Sequence, residues 1–345
     1  MTLFRRPAMS LPHALTLGVV FAAVPALAPA QVAPAIAPGA RGMPDSVMVS
    51  TTWLADRLTN PDLVVLFTGT KTEYDAGHIP GARHLPSSAF TTMRDVGGGL
   101  TLSTEVPALP QLDSVLETVG VSDQSRIVVY GGNAPTSVAR LYMTLDHVGL
   151  GARSSVLSGG LAGWRAENRP LTPDVPVVVR GSVTLRPRTD VIADLATVRA
   201  ATAGTGPKIL DARTPEFYTG ASAGSMPRAG HIPSASNIPF SMVTTSGSSF
   251  RDVASLQELF RTSGLKSGDS VITYCHIGLQ ASVLYVAARA AGYDARMFDG
   301  SFDEWSKRPE LQVIKERNPF LVPADVVAVP ENSQFSFSRI PARSR

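Results

Sequence analysis

The chain has 345 residues, of which 44% are hydrophobic and 17% charged, with a formal net charge of +3 and one cysteine. That is ordinary globular composition at a length suited to about two domains. A single cysteine excludes an intramolecular disulfide, six scattered histidines give no zinc spacing, and no basic cluster marks a nucleic-acid surface.

The first segment reads as an address. Arg5 and Arg6 precede an apolar run from Ala14 through Leu27, and Ala28-Pro29-Ala30 before Gln31 has the small-x-small form of a cleavage site. This order predicts a secretory signal peptide over residues 1–30 and export to the periplasm or beyond. The run is broken by Pro25 and falls short of the ~20 apolar residues of a membrane span, so no membrane partner is expected after cleavage; an uncleaved anchor is the other reading. Loss of Arg5 and Arg6 leaves a mature chain near +1, and a lone thiol in an oxidising compartment is a liability unless it has work to do.

A duplicated unit follows, expected over 46–171 and 189–318. Four landmarks recur in order. An apolar run, Leu63 to Phe67, is matched by Lys208-Ile209-Leu210. Glu73-Tyr74 before Gly77-His78-Ile79-Pro80 is matched by Glu216-Phe217 before Gly230-His231-Ile232-Pro233. Ile127 to Tyr130 is matched by Val271 to Tyr274. Gly159-Gly160…Trp164 is matched by Gly300-Ser301…Trp305. Helical periodicity marks Leu109 to Val119 and Val138 to Val148, then Leu256 to Leu265 and Ala281 to Ala291. Strands alternating with helices predict an α/β fold whose parallel sheets are covered on both faces. Residues 172–188, with Pro173, Pro176 and Pro187, read as an extended linker, and 319–345 as a C-terminal tail that wraps a domain or is disordered.

The chemistry is expected at Tyr274-Cys275-His276-Ile277-Gly278-Leu279-Gln280-Ala281. An apolar strand delivers Cys275 to a sheet's carboxyl edge, where ligands bind in open α/β sheets. A loop curled round the sulfur would aim backbone N–H groups inward, and the helix that follows would add its positive end. Both favour thiolate and predict a lowered Cys275 pKa. Gly278 supplies a residue that tolerates positive φ.

These residues resemble the active-site loop of the rhodanese family: Cys, two variable residues, Gly, a variable residue, then a polar residue before the helix. Asp211-Ala212-Arg213, the Gly-His-Ile-Pro motifs and the Gly…Trp endings extend the resemblance over nearly all of the mature chain. It implies two rhodanese-like domains, each a parallel sheet flanked by helices, the second catalytic and the first not. It implies a sulfurtransferase in which Cys275 takes sulfur from a small anionic donor as a persulfide. The sulfur then passes to cyanide or a thiol, with a protein thiol as a further acceptor and no cofactor. The alternative reading is a periplasmic sulfane-sulfur carrier with little turnover; a Cys-dependent phosphatase stands behind it, since it would need an arginine at Ala281.

The resemblance further implies that Arg213 and Arg228 hold the donor's anionic group, for which a guanidinium fork is suited; a salt bridge to Asp211 or Glu216 is the competing reading of Arg213. Asp211 is expected to hold the loop or orient Arg213. His276, Ile277, Gly278, Leu279 and Gln280 are the expected lining, with His276 tuning the thiol or turned to solvent. His231 reads as structural, and His78 as a residue at the rim where the first domain covers the site. Trp164 and Trp305 read as core or interdomain aromatics. In the first copy Gly131-Gly132 replaces the thiol, Thr68 stands opposite Asp211, and Ser137 begins a helix. The less polar mouth made by Ile277 and Leu279 leaves the donor open between thiosulfate, favoured here, and 3-mercaptopyruvate.

Overall fold

The computed structural model describes residues 46–132, 134–245 and 249–315; the expected signal peptide and the tail 319–345 lie outside the described residues. The first half runs β1 (Met48–Val49), α1 (Thr51–Ala55), β2 (Leu63–Thr68), α2 (Lys71–Asp75), β3 (Arg83–His84), β4 (Thr92–Asp95) and β5 (Thr101–Glu105). It continues with α3 (Leu109–Thr118), β6 (Arg126–Gly131), α4 (Pro135–His147), β7 (Ser154–Leu157) and α5 (Gly160–Ala166). The second half runs β8 (Ile192–Ala193), α6 (Leu195–Ala201), β9 (Lys208–Asp211), α7 (Pro215–Thr219) and β10 (Ser236–Asn237). It closes with α8 (Val253–Thr262), β11 (Ser270–Tyr274), α9 (Leu279–Ala290), β12 (Asp294–Phe298) and α10 (Ser301–Ser306).

Each half builds a five-stranded parallel sheet of the same order, β1-β7-β6-β2-β3 and β8-β12-β11-β9-β10. The central strands β2 and β6 are buried along their whole length, as unbroken apolar runs demand when helices cover both faces. Two helix starts show how the sequence places them. Asp252 accepts from Ser255 N ahead of α8, three residues before the periodicity alone would begin it, and Pro135 opens α4 at a position that needs no N–H. Two features were not anticipated. The antiparallel pair β4–β5 has no two-strand counterpart among the described residues of the second half, where a single bridge joins Thr244 and Phe250. Residues 172–188 also form a strap rather than a free linker. The N–H groups of Gly181, Arg186 and Arg188 donate to the carbonyls of Glu117, Val148 and His147, and Val183 is buried.

The halves share one core. A continuous apolar cluster takes Val64, Leu66, Val129 and Met143 from the first half and Leu210, Val271, Leu284 and Tyr285 from the second. Helix α4 packs on α9, and the seam carries a buried polar knot in which Tyr285 Oη donates to Asp146 Oδ2 at 2.6 Å beside Arg188, 2.6 Å from Asp146 Oδ1. Each outer sheet face has its own smaller cluster, which is where Trp164 and Trp305 sit, each indole N–H donating to a carbonyl of its own half. They are core residues, not interdomain ones. Among the described residues no helix is long and apolar enough to cross a membrane.

Candidate active site

Strand β11 is the middle strand of its sheet and ends at Tyr274, so Cys275 emerges at the carboxyl edge with neighbours on both sides. The loop after it is fastened by the start of α10. Cys275 N–H donates to Ser301 Oγ at 3.2 Å, and the carbonyls of Cys275 and His276 accept from Phe302 N and Asp303 N, both at 2.9 Å. Ser301 Oγ in turn donates to Phe298 O at 2.9 Å, and Ser301 holds φ +50 to do so. Gly278 turns the chain into α9 at φ +87, and a side chain there would also press on Arg140 Nη1 and Asp299 O. With no side-chain cap on α9, its first N–H groups are left for the sulfur.

The N–H groups of Ala281, Ile277, Gln280 and Gly278 face the sulfur and pull the Cys275 pKa down, but burial outweighs them and pushes the thiol above its usual range. The expectation of a lowered pKa is therefore corrected: the thiol is only 1% exposed, and desolvation of the thiolate is the larger effect. The rings of His276 and Phe217 meet edge to face with centroids 4.5 Å apart, and burial together with the charge of Arg213 lowers the His276 pKa. Ile277, Leu279 and Gln280 remain partly exposed at the mouth, and the Gln280 side chain interacts with His276.

Of the two arginines expected at the donor, Arg228 is engaged elsewhere and Arg213 in part. Arg213 is buried, its Nε and Nη2 on Asp211 (2.9 and 2.5 Å), with Nη2 also on Gly230 O, and its guanidinium over Phe302. Asp211 thus orients Arg213. Arg228 spends Nε, Nη1 and Nη2 on the carbonyls of Ser306, Leu311, Trp305 and Arg308, closing the chain after α10. Arg228 acts as an internal clasp, and Arg213 is clasped through Nε and Nη2. His78 is also corrected: it is buried against the Tyr74 ring and bonds Tyr74 O and Asp174 O, so the ring and both carbonyls it meets lie in the first half and the strap. The rim comes instead from the β4–β5 hairpin, where Thr104 Oγ1 donates to Ile277 O. His231 stacks on Tyr218 and bonds its carbonyl, a structural place.

The sequence profile described as the rhodanese-like domain matches residues 50–167 and 194–308. The chain belongs to the rhodanese-like family. Among its relatives, the thiosulfate sulfurtransferase of Azotobacter vinelandii is 29% identical over 265 residues, 75% of this chain and 94% of that one. A Pseudomonas aeruginosa protein named as a probable 3-mercaptopyruvate sulfurtransferase is 29% identical over 283 residues, 79% of this chain and 99% of that one. The crystal structure of SseA from Escherichia coli superposes with a TM-score of 0.64 at 23% identity, over 74% of this chain and 98% of that chain, and shares the fold.

Within this rhodanese-like pair the strand registers correct one correspondence. Tyr130 pairs with Phe67 as Tyr274 pairs with Asp211, and Tyr74 stacks on His78 as Tyr218 stacks on His231. Matching Glu73-Tyr74 to Glu216-Phe217 therefore slips by one residue: Phe67, not Thr68, occupies the place of Asp211, and Gly69 that of Arg213. Gly131 occupies the place of Cys275, and a Cβ there would lie 2.6 Å from Thr68 O and 2.8 Å from Val138 Cγ2, so the first loop has no room for a thiol. Sequence reasoning missed Ser301, Thr104, Arg140 and Asp299. Only Ser301 left a trace, as the residue standing where Gly160, at φ +54, stands in the first copy.

Proposed function

We propose that the protein is a sulfurtransferase working through a persulfide on Cys275, with thiosulfate as the preferred donor. The observation that carries the reading is a buried thiol at the centre of four backbone N–H groups, a site shaped for sulfur bearing negative charge. The Cys275 thiolate attacks the outer sulfur of thiosulfate; a sulfur–sulfur bond forms, the bond to the sulfonate sulfur breaks, and its electron pair leaves with sulfite. The persulfide's outer sulfur then passes to cyanide or a thiol, and the thiolate is restored. Relatives named for thiosulfate and for 3-mercaptopyruvate both match this chain. Thiosulfate is favoured because Arg228 and two arms of Arg213 are committed internally, and a compact anion is served by N–H groups without a guanidinium fork. The order of charge, apolar run and small-x-small site over residues 1–30 supports the further reading that the protein is exported.

The test is steady-state thiocyanate formation from cyanide with each donor, beside mass spectrometry of the protein. Turnover with thiosulfate and a mass gain of one sulfur atom are expected, both lost in Cys275→Ser. Wild-type turnover in that variant would sink the assignment; better turnover with 3-mercaptopyruvate would reverse the donor. A sulfur adduct with negligible turnover would indicate a sulfur carrier instead.

A further inference from the structure

Thr104 sits at φ +62, a left-handed backbone that β-branched residues rarely adopt. Strain of this kind is kept where the surrounding structure enforces it, and three bonds do so here. Thr104 O accepts from Arg140 Nη2, Arg140 Nη1 lies 2.5 Å from Asp299 Oδ1, and Asp299 Oδ2 accepts from Val106 N at 2.9 Å. The result is that a hydroxyl of the first half is aimed at the loop of the second: Thr104 Oγ1, which also lies 2.6 Å from Ser103 O, donates to Ile277 O.

The Ile277 carbonyl and the Gly278 N–H belong to one peptide group. A hydrogen bond accepted at the carbonyl polarises that group and strengthens its N–H as a donor. The same N–H is one of those facing Cys275. We infer that Thr104 is a positioning residue: its hydroxyl fixes and polarises the Ile277–Gly278 peptide against the Cys275 sulfur, so that the first half, which has no thiol, sets the reactivity of the second half's nucleophile. The inference deepens the sulfurtransferase reading and rests on it wherever a donor is involved, but the thiol's reactivity is measurable without turnover.

The experiment uses the full-length protein as wild type, Thr104→Val and Thr104→Ser, and follows Cys275 alkylation by iodoacetamide against pH. Thr104→Val keeps the shape and removes the hydroxyl. Its alkylation rate at pH 7 should fall about three- to tenfold, with the profile displaced to higher pH, as expected when one polar contact to an anion's cradle is lost. Thr104→Ser should follow wild type. The charged groups on the hairpin and the elements facing it (Arg94, Glu105, Arg140, Asp299, Asp303, Lys307) and those beside the thiol's loop (Asp211, Arg213, His276) are unchanged in every variant, so their own titration is common to all profiles. In turnover with thiosulfate, KM should rise in Thr104→Val and return in Thr104→Ser. A wild-type alkylation profile for Thr104→Val overturns the inference, as does a Thr104→Ser profile that matches Thr104→Val. Should Thr104→Val fail to fold, Thr104→Gly, which relieves the backbone and lacks the hydroxyl, is judged by the same criteria. Absence of turnover in the wild type would sink the functional reading while leaving the alkylation comparison decisive.

Discussion

Arg140→Met is the most informative single perturbation of the seam between the halves. The Arg140 side chain is 0% exposed and Asp299 6% exposed, with 2.5 Å between them. Removing the guanidinium leaves the Asp299 carboxylate buried with Val106 N–H as its remaining named donor, and leaves Thr104 O without its partner. Breaking one side of a buried ion pair costs about 3–5 kcal/mol. For a cooperative unit of this size each kcal/mol lowers Tm by about 2 °C, so a fall of about 6–10 °C is expected in a calorimetric scan. Thiosulfate turnover of the folded variant should drop as well, since Thr104 is no longer held. Arg140→Met combined with Asp299→Leu should recover most of the stability, because the stranded charge is gone. A Tm within about 2 °C of wild type in the single variant would refute the argument that this pair is desolvated and coupled to the seam.

Three further outcomes follow from the same geometry. Arg213→Ala should destabilise the protein by about 3–5 kcal/mol in denaturant titration, by stranding Asp211, while leaving KM for thiosulfate unchanged; wild-type stability with a raised KM would return Arg213 to the donor site. Burial holds Glu105 up at about 7 against an ordinary 4.5, so the folded state keeps a proton that the unfolded chain releases. Stability from this group is complete below about pH 4.5 and is lost as pH rises to about 7, and Glu105→Gln should flatten the slope of Tm over that window; an unaltered slope would place the titration elsewhere. Residues 189–315 alone should lack a fixed near-UV circular dichroism signal, because Leu284 and Tyr285 lose the first half's side of their core; a folded fragment with full-length turnover would overturn the shared-core account.

The duplication, the parallel sheets and the thiol's place were legible because each rests on local pattern. Strands such as Ile127 to Val129 are apolar in sequence for the reason that they are central in the sheet, and the strand-to-loop entry at Tyr274-Cys275 announces a carboxyl edge. What was not legible depends on partners distant in the chain. Arg213 and Arg228 look alike to an anion-binding argument, and only the carbonyls of residues 305–311 show that Arg228 is consumed and the Asp211 carboxylate that Nε and Nη2 of Arg213 are taken. Thr104 and Ile277 are separated by 173 positions, and Arg140 and Asp299 by 159, with no motif in either copy to connect them. The misplaced rim had the same origin: His78 belonged to a recognisable motif, whereas the hairpin that covers the site belonged to none. The thiol's pKa was misjudged because sequence shows the donors around a cysteine more readily than the depth at which it is buried.

The strap between the halves has a consequence for how the molecule is tethered. Its stretch around Val175, Val177 and Val179 stands out from the surface, with Val177 98% exposed, while the backbone on either side is pinned at Thr172 and from Gly181 onward. A protease that cuts there severs the chain but not the body, since the common core and the Arg140–Asp299 pair do not run through the tether. The nicked protein would migrate as two pieces under denaturing conditions and as one otherwise. The covalent link thus serves mainly to raise the halves' effective concentration while they assemble, and once they have met it is the seam that makes them a single molecule.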